Sequence, residues 1–290
     1  MASIAVWVIV FGILTYNGNC YVWQSRSQLM AYVDKYFKNV YNIPPRQQTA
    51  ARLTKYFLKR IVPVGANIKG RKITKRSYPS VEYAQFYDTI FIIDSSSSVN
   101  RRNFKRGIQA LQKLIDRGHP DSYYSAITFA SDARLEFRFV NKKIAKLLLR
   151  NIKHRRGRTN TQAALRMAWY DLIRSNSSNI RYGSVRRIFL ITDGLSNVKH
   201  HLTLFQGFRL KANGIQIYVM AIGRYRQGFE EILGLASTAH AHLYRVGHMK
   251  GFQRVADLIP TWPLNKNEVD SWKTSVKYRR YLFKTRIRMI

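Results

Sequence analysis

Cysteine is almost absent from this chain, since Cys20 is the only one among 290 residues. Cys20 ends an apolar leader that we expect to be removed, which would leave the mature protein without any. This excludes a disulfide-stapled scaffold and any cysteine-based metal site. A protein without disulfides depends on its hydrophobic core, which favours one substantial domain over several very small ones.

Acidic residues are also scarce, with 15 Asp and Glu against 50 Lys and Arg and a formal net charge of +35. Such an excess is far beyond what solubility requires. It attracts polyanions, such as sulfated polysaccharides, acidic matrix proteins, anionic membranes or nucleic acids. Composition alone does not choose among these partners.

Long apolar runs are missing beyond the first twenty residues, where MASIAVWVIVFGILTYNGNC has an apolar core from Ile4 to Leu14. Cleavage after Cys20 would place the small residue Gly18 three positions before the cut. The pattern predicts a secretory signal over residues 1–20, although no basic residue precedes the core. The run is too short to span a bilayer comfortably, so we expect a secreted protein with no membrane span.

Two basic segments flank the centre of the chain. Residues 21–86 show helical apolar spacing in SQLMAYVDKYFKNVY and RQQTAARLTKYFLKRIV, then a linker rich in Gly and Lys/Arg, so we predict a helical N-terminal extension. The pair Lys75–Arg76 could be cut by a processing protease, but a solvated charge cluster explains it as well. Residues 261–290 form a basic, aromatic tail that fits either a strand or a disordered arm.

Residues 87–260 alternate β-rich apolar runs with helical ones. The uninterrupted runs Ile90–Ile93, Ile188–Ile191 and Ile215–Ala221 suit strands that are buried on both faces. This alternation predicts an α/β domain with a doubly wound, mostly parallel open sheet flanked by helices. The link near Ser131–Asp132 is too short for a helical crossover, so we expect an antiparallel hairpin at a sheet edge.

Two predicted strands end on an acid, IFIID on Asp94 and IFLITD on Asp193. Ligands of open α/β sheets bind beyond the carboxyl ends of the strands, where the strand order reverses, so neighbouring strands would bring both carboxylates into one crevice. Ser96 and Ser98 follow the first acid at alternate positions, and Thr159 stands just before a predicted helix. Carboxylate and hydroxyl oxygens are the ligands of a hard divalent cation such as Mg²⁺.

A purely structural interpretation of the same residues is that they cap helices and tighten turns. Ser98 or Asn100 could cap the helix predicted over RRNFKRGIQALQKL. However, unpaired carboxylates in one crevice repel each other without a cation, which favours the metal site. Catalysis has little support, because the chain has neither a Gly-x-Ser-x-Gly elbow nor a histidine-rich metal cluster, and we expect no enzyme.

The motif at Asp94–Ser98 resembles the Asp-x-Ser-x-Ser motif of von Willebrand factor type A (vWA) domains. RTNT resembles their threonine loop and FLITDG their second aspartate strand, and the match runs in order from Tyr87 to Leu258. The resemblance implies a Rossmann-like fold and a metal-ion-dependent adhesion site (MIDAS). Its implied ligands are Ser96, Ser98 and Thr159 directly, and Asp94 and Asp193 directly or through water. Arg158, where the family has a glycine, could add positive charge beside the metal.

The resemblance places the chain with extracellular-matrix proteins. We therefore predict a secreted matrix adhesion protein that binds collagen or an acidic matrix protein through a divalent cation, with Mg²⁺ first and Mn²⁺ or Ca²⁺ as alternatives. The rival hypothesis is metal-independent binding of polyanions, such as sulfated glycosaminoglycans, by the basic surface with the domain as scaffold. The leader argues against an intracellular nucleic-acid-binding protein, so no nucleic-acid partner is expected.

Overall fold

The computed structural model of the chain describes residues 43–58, 87–119, 121–223 and 228–260. These residues contain a six-stranded sheet. Its strands are β1 (Tyr87–Asp94), β2 (Tyr123–Phe129), β3 (Ala133–Asn141), β4 (Val185–Thr192), β5 (Gln216–Ile222) and β6 (Leu243–Val246). They lie in the order β3-β2-β1-β4-β5-β6, and all neighbouring pairs are parallel except β2 and β3. This confirms the predicted mostly parallel sheet with an antiparallel strand at its edge.

The central strands are buried on both faces. Every residue of β1 is buried, as are the last six residues of β4 and of β5. Along β1 the side chains alternate between two hydrophobic cores, with Phe91 and Ile93 on one face and Ile90 and Ile92 on the other. The apolar runs of the sequence are uninterrupted because neither face of these strands meets water.

Helices cover both faces of the sheet. They are α1 (Arg46–Arg52, continued by a π-helical turn over Leu53–Phe57), α2 (Arg101–Arg117), α3 (Lys142–Arg150), α4 (Thr161–Met167, continued by a π-helical segment over Ala168–Ile173), α5 (Thr203–Ala212), α6 (Phe229–Leu235), α7 (Ala239–His242) and α8 (Met249–Asp257). Helices α1, α2, α3 and α8 share one core, and α4, α5 and α6 share the other. This double covering confirms the doubly wound α/β fold.

The strand order reverses between β1 and β4. From this point β2 and β3 extend to one side of the sheet, and β4, β5 and β6 extend to the other. β2 and β3 join through the short link predicted to make a hairpin, where the main chain of Ala130 donates to that of Asp132. The crevice beyond the carboxyl ends of β1 and β4 is where such sheets bind ligands.

At the opposite end of β1, a buried carboxylate has a cationic partner. Asp88 is fully buried, and the guanidinium of Arg181 donates to its Oδ1 from Nε at 2.9 Å. The main-chain nitrogen of Arg181 donates to Oδ2 at 2.8 Å, so both carboxylate oxygens are engaged. This pair fixes the segment that precedes β4 to the beginning of β1.

Helix α1, inside the predicted N-terminal extension, packs against the domain. Ala50, Leu53 and Phe57 are buried in the core shared with α2 and α8. The predicted domain limits stay predictions, because the leader over 1–20, most of the extension over 21–86 and the tail over 261–290 lie outside the described residues. No helix among the described residues has the length and apolarity needed to cross a membrane.

Candidate metal site

The two acids singled out in the sequence lie together at the switch point of the sheet. Asp94 is the last residue of β1, and Asp193 directly follows β4, its parallel neighbour. A hydrogen bond joins the two loops, since the Ser98 hydroxyl donates to Oδ1 of Asp193 at 2.7 Å. The two carboxylates therefore lie at one edge of the sheet, as predicted from the sequence.

The serines after β1 connect one carboxylate to the other. The main-chain nitrogen of Ser96 donates to Oδ1 of Asp94 at 2.9 Å, which turns the loop sharply back on the strand end. The Ser96 and Ser98 hydroxyls lie 2.9 Å apart, within hydrogen-bond distance. A continuous chain of polar contacts thus runs from Asp94 through both serines to Asp193.

The loop that carries Thr159 is hydrogen-bonded to both acid-bearing loops. The nitrogen of Thr159 donates to Oδ1 of Asn197 at 2.8 Å, and its oxygen accepts from the Asn197 nitrogen at 2.9 Å. On the other side, the Ser97 nitrogen donates to the oxygen of Gly157 at 2.9 Å. Thr159 itself is buried, so all three loops form one packed unit around it.

The side chains that cap the two helices next to the site are not those of the predicted metal ligands. Asn100 caps α2, accepting from the Asn103 nitrogen at 2.8 Å, so Ser98 is not needed as its cap. Asn160 caps α4 in the same way, accepting from the nitrogen of Ala163. Ser98 and Thr159 therefore serve neither helix as a capping side chain.

The electrostatics of the site are those of two carboxylates crowded together. Burial raises the pKa of Asp94 to about 6, and the negative charge of Asp193 acts in the same direction against the hydrogen bonds from Ser96 and Thr192. Burial also raises the pKa of Asp193, opposed by the Ser98 hydroxyl. The site thus disfavours its own negative charge when no cation is bound.

The two acids have no basic partner in the part of the chain that the structure describes, since no Lys, Arg or His there forms an ion pair with Asp94 or Asp193. This contrasts with Asp88, which is paired with Arg181, and the chain has 50 basic residues from which a partner could come. Asp94 is buried and Asp193 half-buried, and neither has a counter-ion among the described residues. Two such carboxylates joined by hydroxyls fit a hard divalent cation.

Hydroxyl oxygens are essential to such a site here. No three His, Cys, Asp or Glu side chains gather as a metal-binding group in the part of the chain that the structure describes. A cation at Asp94 and Asp193 would therefore complete its coordination with serine and threonine oxygens and water, which Mg²⁺ accepts.

Two polar residues that support the loops of the site were not predicted from the sequence. Thr192 donates to Oδ2 of Asp94 at 2.9 Å and holds that carboxylate in place. Glu231 of α6 is buried and accepts from the nitrogen of Ser196 at 3.1 Å, and burial raises its pKa to about 7. Thr192 could have been noticed beside Asp193, but nothing in the sequence distinguishes Glu231 from Glu230.

Comparison with solved structures supports the same fold. The proximal thread matrix protein 1 of the mussel byssus superposes with a TM-score of 0.52 at 19% identity, over 60% of this chain and 44% of that one. A second crystal form of it gives 0.54 at 21% identity, over 60% and 47%. A third structure, described as having a zinc-occupied MIDAS motif, gives 0.50 at 21% identity, over 60% and 46%. The match thus spans less than half of those chains.

Comparison with protein families matches residues 88–257 to the von Willebrand factor type A domain, which is more than half of the chain. Both limits of the match agree with the resemblance noted in the sequence. The protein therefore belongs to the von Willebrand factor type A domain family.

Proposed function

We propose that this protein is a secreted extracellular-matrix adhesion protein whose vWA domain binds a matrix partner through a divalent cation. The observation that carries the proposal is the pair of carboxylates formed by buried Asp94 and half-buried Asp193, which have no basic partner among the described residues and are joined through Ser96 and Ser98. The proposed ligands are the oxygens of Asp94, Ser96, Ser98, Thr159 and Asp193. The proposal assigns no catalytic activity.

Each part of the site has a distinct role in holding the ion. The two carboxylates supply negative charge, and the hydroxyls supply neutral oxygens. Thr192 and the main-chain nitrogen of Ser96 fix the orientation of Asp94. The bound ion would offer a coordination position to a carboxylate of the partner, with Mg²⁺ the first choice and Mn²⁺ or Ca²⁺ as alternatives. Because the three loops are bonded to one another, the protein oxygens are held in place before the ion binds.

The matrix location rests on three supporting observations. The leader has the pattern of a secretory signal, the fold is similar to that of a byssus matrix protein, and the net charge is +35. We propose collagen or an acidic matrix protein as the partner. The positive surface would add long-range attraction that salt screens.

A pull-down from the matrix of the source tissue tests the proposal. The full chain is used as bait in buffer with Mg²⁺, with EDTA, and with EDTA followed by excess Mg²⁺, each at low and high salt. We expect EDTA to remove one class of partner and restored Mg²⁺ to recover it, whereas salt weakens binding generally. Asp94→Ala should behave as the wild type does in EDTA. Binding that is indifferent to the chelator would refute the metal mechanism.

The charge of the protein supports a second candidate function, binding of polyanions with the vWA domain as scaffold only. Heparin binding that survives Asp94→Ala and EDTA but disappears at high salt would favour this function. Appearance of the mature protein in the culture medium of expressing cells tests secretion, and retention inside the cells would contradict it.

A further inference from the structure

Exposed basic residues border the candidate metal site. We call the following group the basic rim: Arg101, Arg102, Arg156, Arg158 and Lys199. All of them are exposed, and none forms an ion pair with another described residue. Two belong to the first turn of α2, directly after the serine loop, and the others lie on the loops that carry Thr159 and Asp193. The rim thus places exposed positive charge on the loops that border the acidic centre.

Two members of the rim have a backbone conformation that is unfavourable for their residue type. Arg156 has φ of 66° and Lys199 has φ of 47°, both in the left-handed region that favours glycine. The one other described non-glycine residue with positive φ is Asn179, a residue type that tolerates this conformation better. Residues in this conformation persist where the surrounding structure holds them, and they concentrate at functional sites.

Hydrogen bonds hold Arg156 beside the ligand loop. Its nitrogen donates to the oxygen of Ser95 at 2.9 Å, so its main chain contacts the residue between Asp94 and Ser96. The next nitrogen, of Gly157, donates to the hydroxyl of Ser97 at 2.9 Å. The exposed guanidinium therefore starts from a fixed point at the edge of the site.

Lys199 is fixed in a corresponding way on the second acidic loop. The preceding residue, Val198, donates its nitrogen to the oxygen of Thr159 at 3.3 Å, and the oxygen of Lys199 accepts from the Leu202 nitrogen at 2.9 Å. Glycine at positions 156 and 199 would relieve the backbone without breaking these main-chain bonds. The stability of the fold therefore does not explain why long cationic side chains stand there.

We infer that the site recognises a run of adjacent carboxylates in an acidic segment of a partner protein, with one carboxylate at the ion and its neighbours at Arg156 and Lys199. The inference rests on the proposed function and names the partner chemistry of that same site. A lone carboxylate would use the ion but leave the rim unpaired. In an extended peptide, side chains on one face recur every second residue, about 7 Å apart, so flanking acids can reach cations fixed beside the ion.

A protein segment suits this arrangement better than a sulfated glycan does. The ion demands a hard oxygen ligand at one point, and the rim demands negative charge on both sides of that point. A glycan bound by charge alone would draw on the whole positive surface and would not depend on Asp94. Dependence on the ion and on the rim together distinguishes the two ligands.

Two fluorescent peptides test the inference with the full chain in Mg²⁺. One is hexa-aspartate, and the other has a single aspartate among glycine and serine. We expect tighter binding of hexa-aspartate, and in the double variant Arg156→Gly/Lys199→Gly its Kd should rise about three- to thirtyfold, as expected for loss of two exposed charge pairs. The single-aspartate peptide should change less than about twofold. The melting temperature of the double glycine variant should not fall. Arg156→Lys/Lys199→Arg, which keeps both positive charges, should bind hexa-aspartate about as tightly as the wild type does.

Two matched controls separate charge from backbone effects. Lys143→Ala/Arg174→Ala removes the same charge from exposed positions at the opposite end of the sheet, and Asn179→Gly makes the same backbone change away from the site. Both should leave the peptide affinities unchanged. An equal loss in the charge control, or equal affinity of the wild type for both peptides, would overturn the inference.

The same titrations distinguish failure of the rim from failure of the metal mechanism. If Mg²⁺-dependent binding of both peptides is unaffected by the double glycine variant, the rim inference fails and the metal site stands. If hexa-aspartate binding ignores EDTA but is lost in the variant, the rim binds carboxylates and the proposed metal mechanism fails. Displacement of hexa-aspartate by a sulfated oligosaccharide equally well in EDTA and in Mg²⁺ would assign the rim to glycans and refute the inference.

Discussion

The guanidinium of Arg187 donates a hydrogen bond to the main-chain oxygen of Phe57, which connects β4 to the end of α1. Arg187 is 1% exposed, and its guanidinium carbon lies 4.2 Å from the ring centroids of both Phe57 and Tyr87. Burial lowers the pKa of Arg187, and no carboxylate among the described residues pairs with it. Aromatic faces and neutral oxygens therefore solvate this charge, and α1 supplies part of that environment.

Phe57→Ala tests how far the domain depends on α1. The Phe57 ring also contacts Phe189 and Tyr218, with centroids 4.7 and 5.1 Å away, so its loss leaves a cavity beside a buried charge. We expect the free energy of unfolding to fall by about 3–5 kcal/mol, as measured by urea denaturation. Leu147→Ala, at an exposed position, should cost no more than about 0.5 kcal/mol. Similar small losses for both variants would show that α1 is dispensable.

Asp94→Asn should make the stability of the protein independent of Mg²⁺. In EDTA at pH 7.5 the variant should be more stable than the wild type by roughly 1–3 kcal/mol, because it removes a buried charge that faces Asp193. Mg²⁺ should raise the melting temperature of the wild type and leave that of the variant unchanged. The exposed Asp171→Asn is the control and should keep the full response to Mg²⁺. An unchanged Mg²⁺ response in Asp94→Asn would contradict the ligand assignment.

Substitutions of Thr159 test its side chain separately from its main chain. Thr159 bonds to Asn197 through its own main-chain nitrogen and oxygen, which remain in Thr159→Val and Thr159→Ser. If the hydroxyl is a ligand, the valine variant should bind Mg²⁺ at least about tenfold more weakly in calorimetric titration, since even indirect partners of a metal commonly matter that much. The serine variant should stay close to the wild type. Equal affinities of all three proteins would remove Thr159 from the ligand set.

Glu231 makes the stability of the domain depend on pH. Its pKa is raised by burial from 4.5 to about 7, so the folded protein retains a proton that the unfolded chain loses. Stability should therefore fall as pH rises from about 4.5 to about 7 and stay low above that range. Glu231→Gln keeps an oxygen acceptor for the Ser196 nitrogen and removes the charge, so it should be more stable by roughly 1–3 kcal/mol at pH 8.

Denaturation of both proteins at pH 4.5 and pH 8 measures this difference. The gain from Glu231→Gln should be largest at pH 8 and nearly absent at pH 4.5, because both proteins are then uncharged at this position. Glu230→Gln, at an exposed position in the same turn of α6, should show no such difference between the two pH values. A constant offset of Glu231→Gln at both values would mean that its effect is not electrostatic.

The features that could be predicted from the sequence depend on short stretches of neighbouring residues. The uninterrupted apolar runs of β1, β4 and β5 reflect covering by helices on both faces, and the short link before β3 permits only a hairpin. Asp94 and Asp193 could be brought together because each ends a strand, and parallel strands present their carboxyl ends at one edge. Spacing and strand polarity were enough for these features.

The features that escaped prediction arise from contacts between distant parts of the chain. Residue spacing shows that α1 has an apolar face but not that this face covers Arg187, 130 positions from Phe57. Likewise, Glu231 resembles any first-turn acid of a helix until the loop after β4 buries it. The left-handed backbone of Arg156 depends on its bond to Ser95, which no local pattern specifies.

The family match begins at residue 88, whereas helix α1 ends at residue 57 and still completes the core. The packed core of this protein therefore extends beyond the segment that matches the family. A recombinant fragment cut at the family limits would lack Phe57 and Tyr87, whose rings lie against Arg187. It would also expose to water the apolar surface that α1 covers. A fragment meant to keep the complete core therefore needs to begin upstream of Arg46.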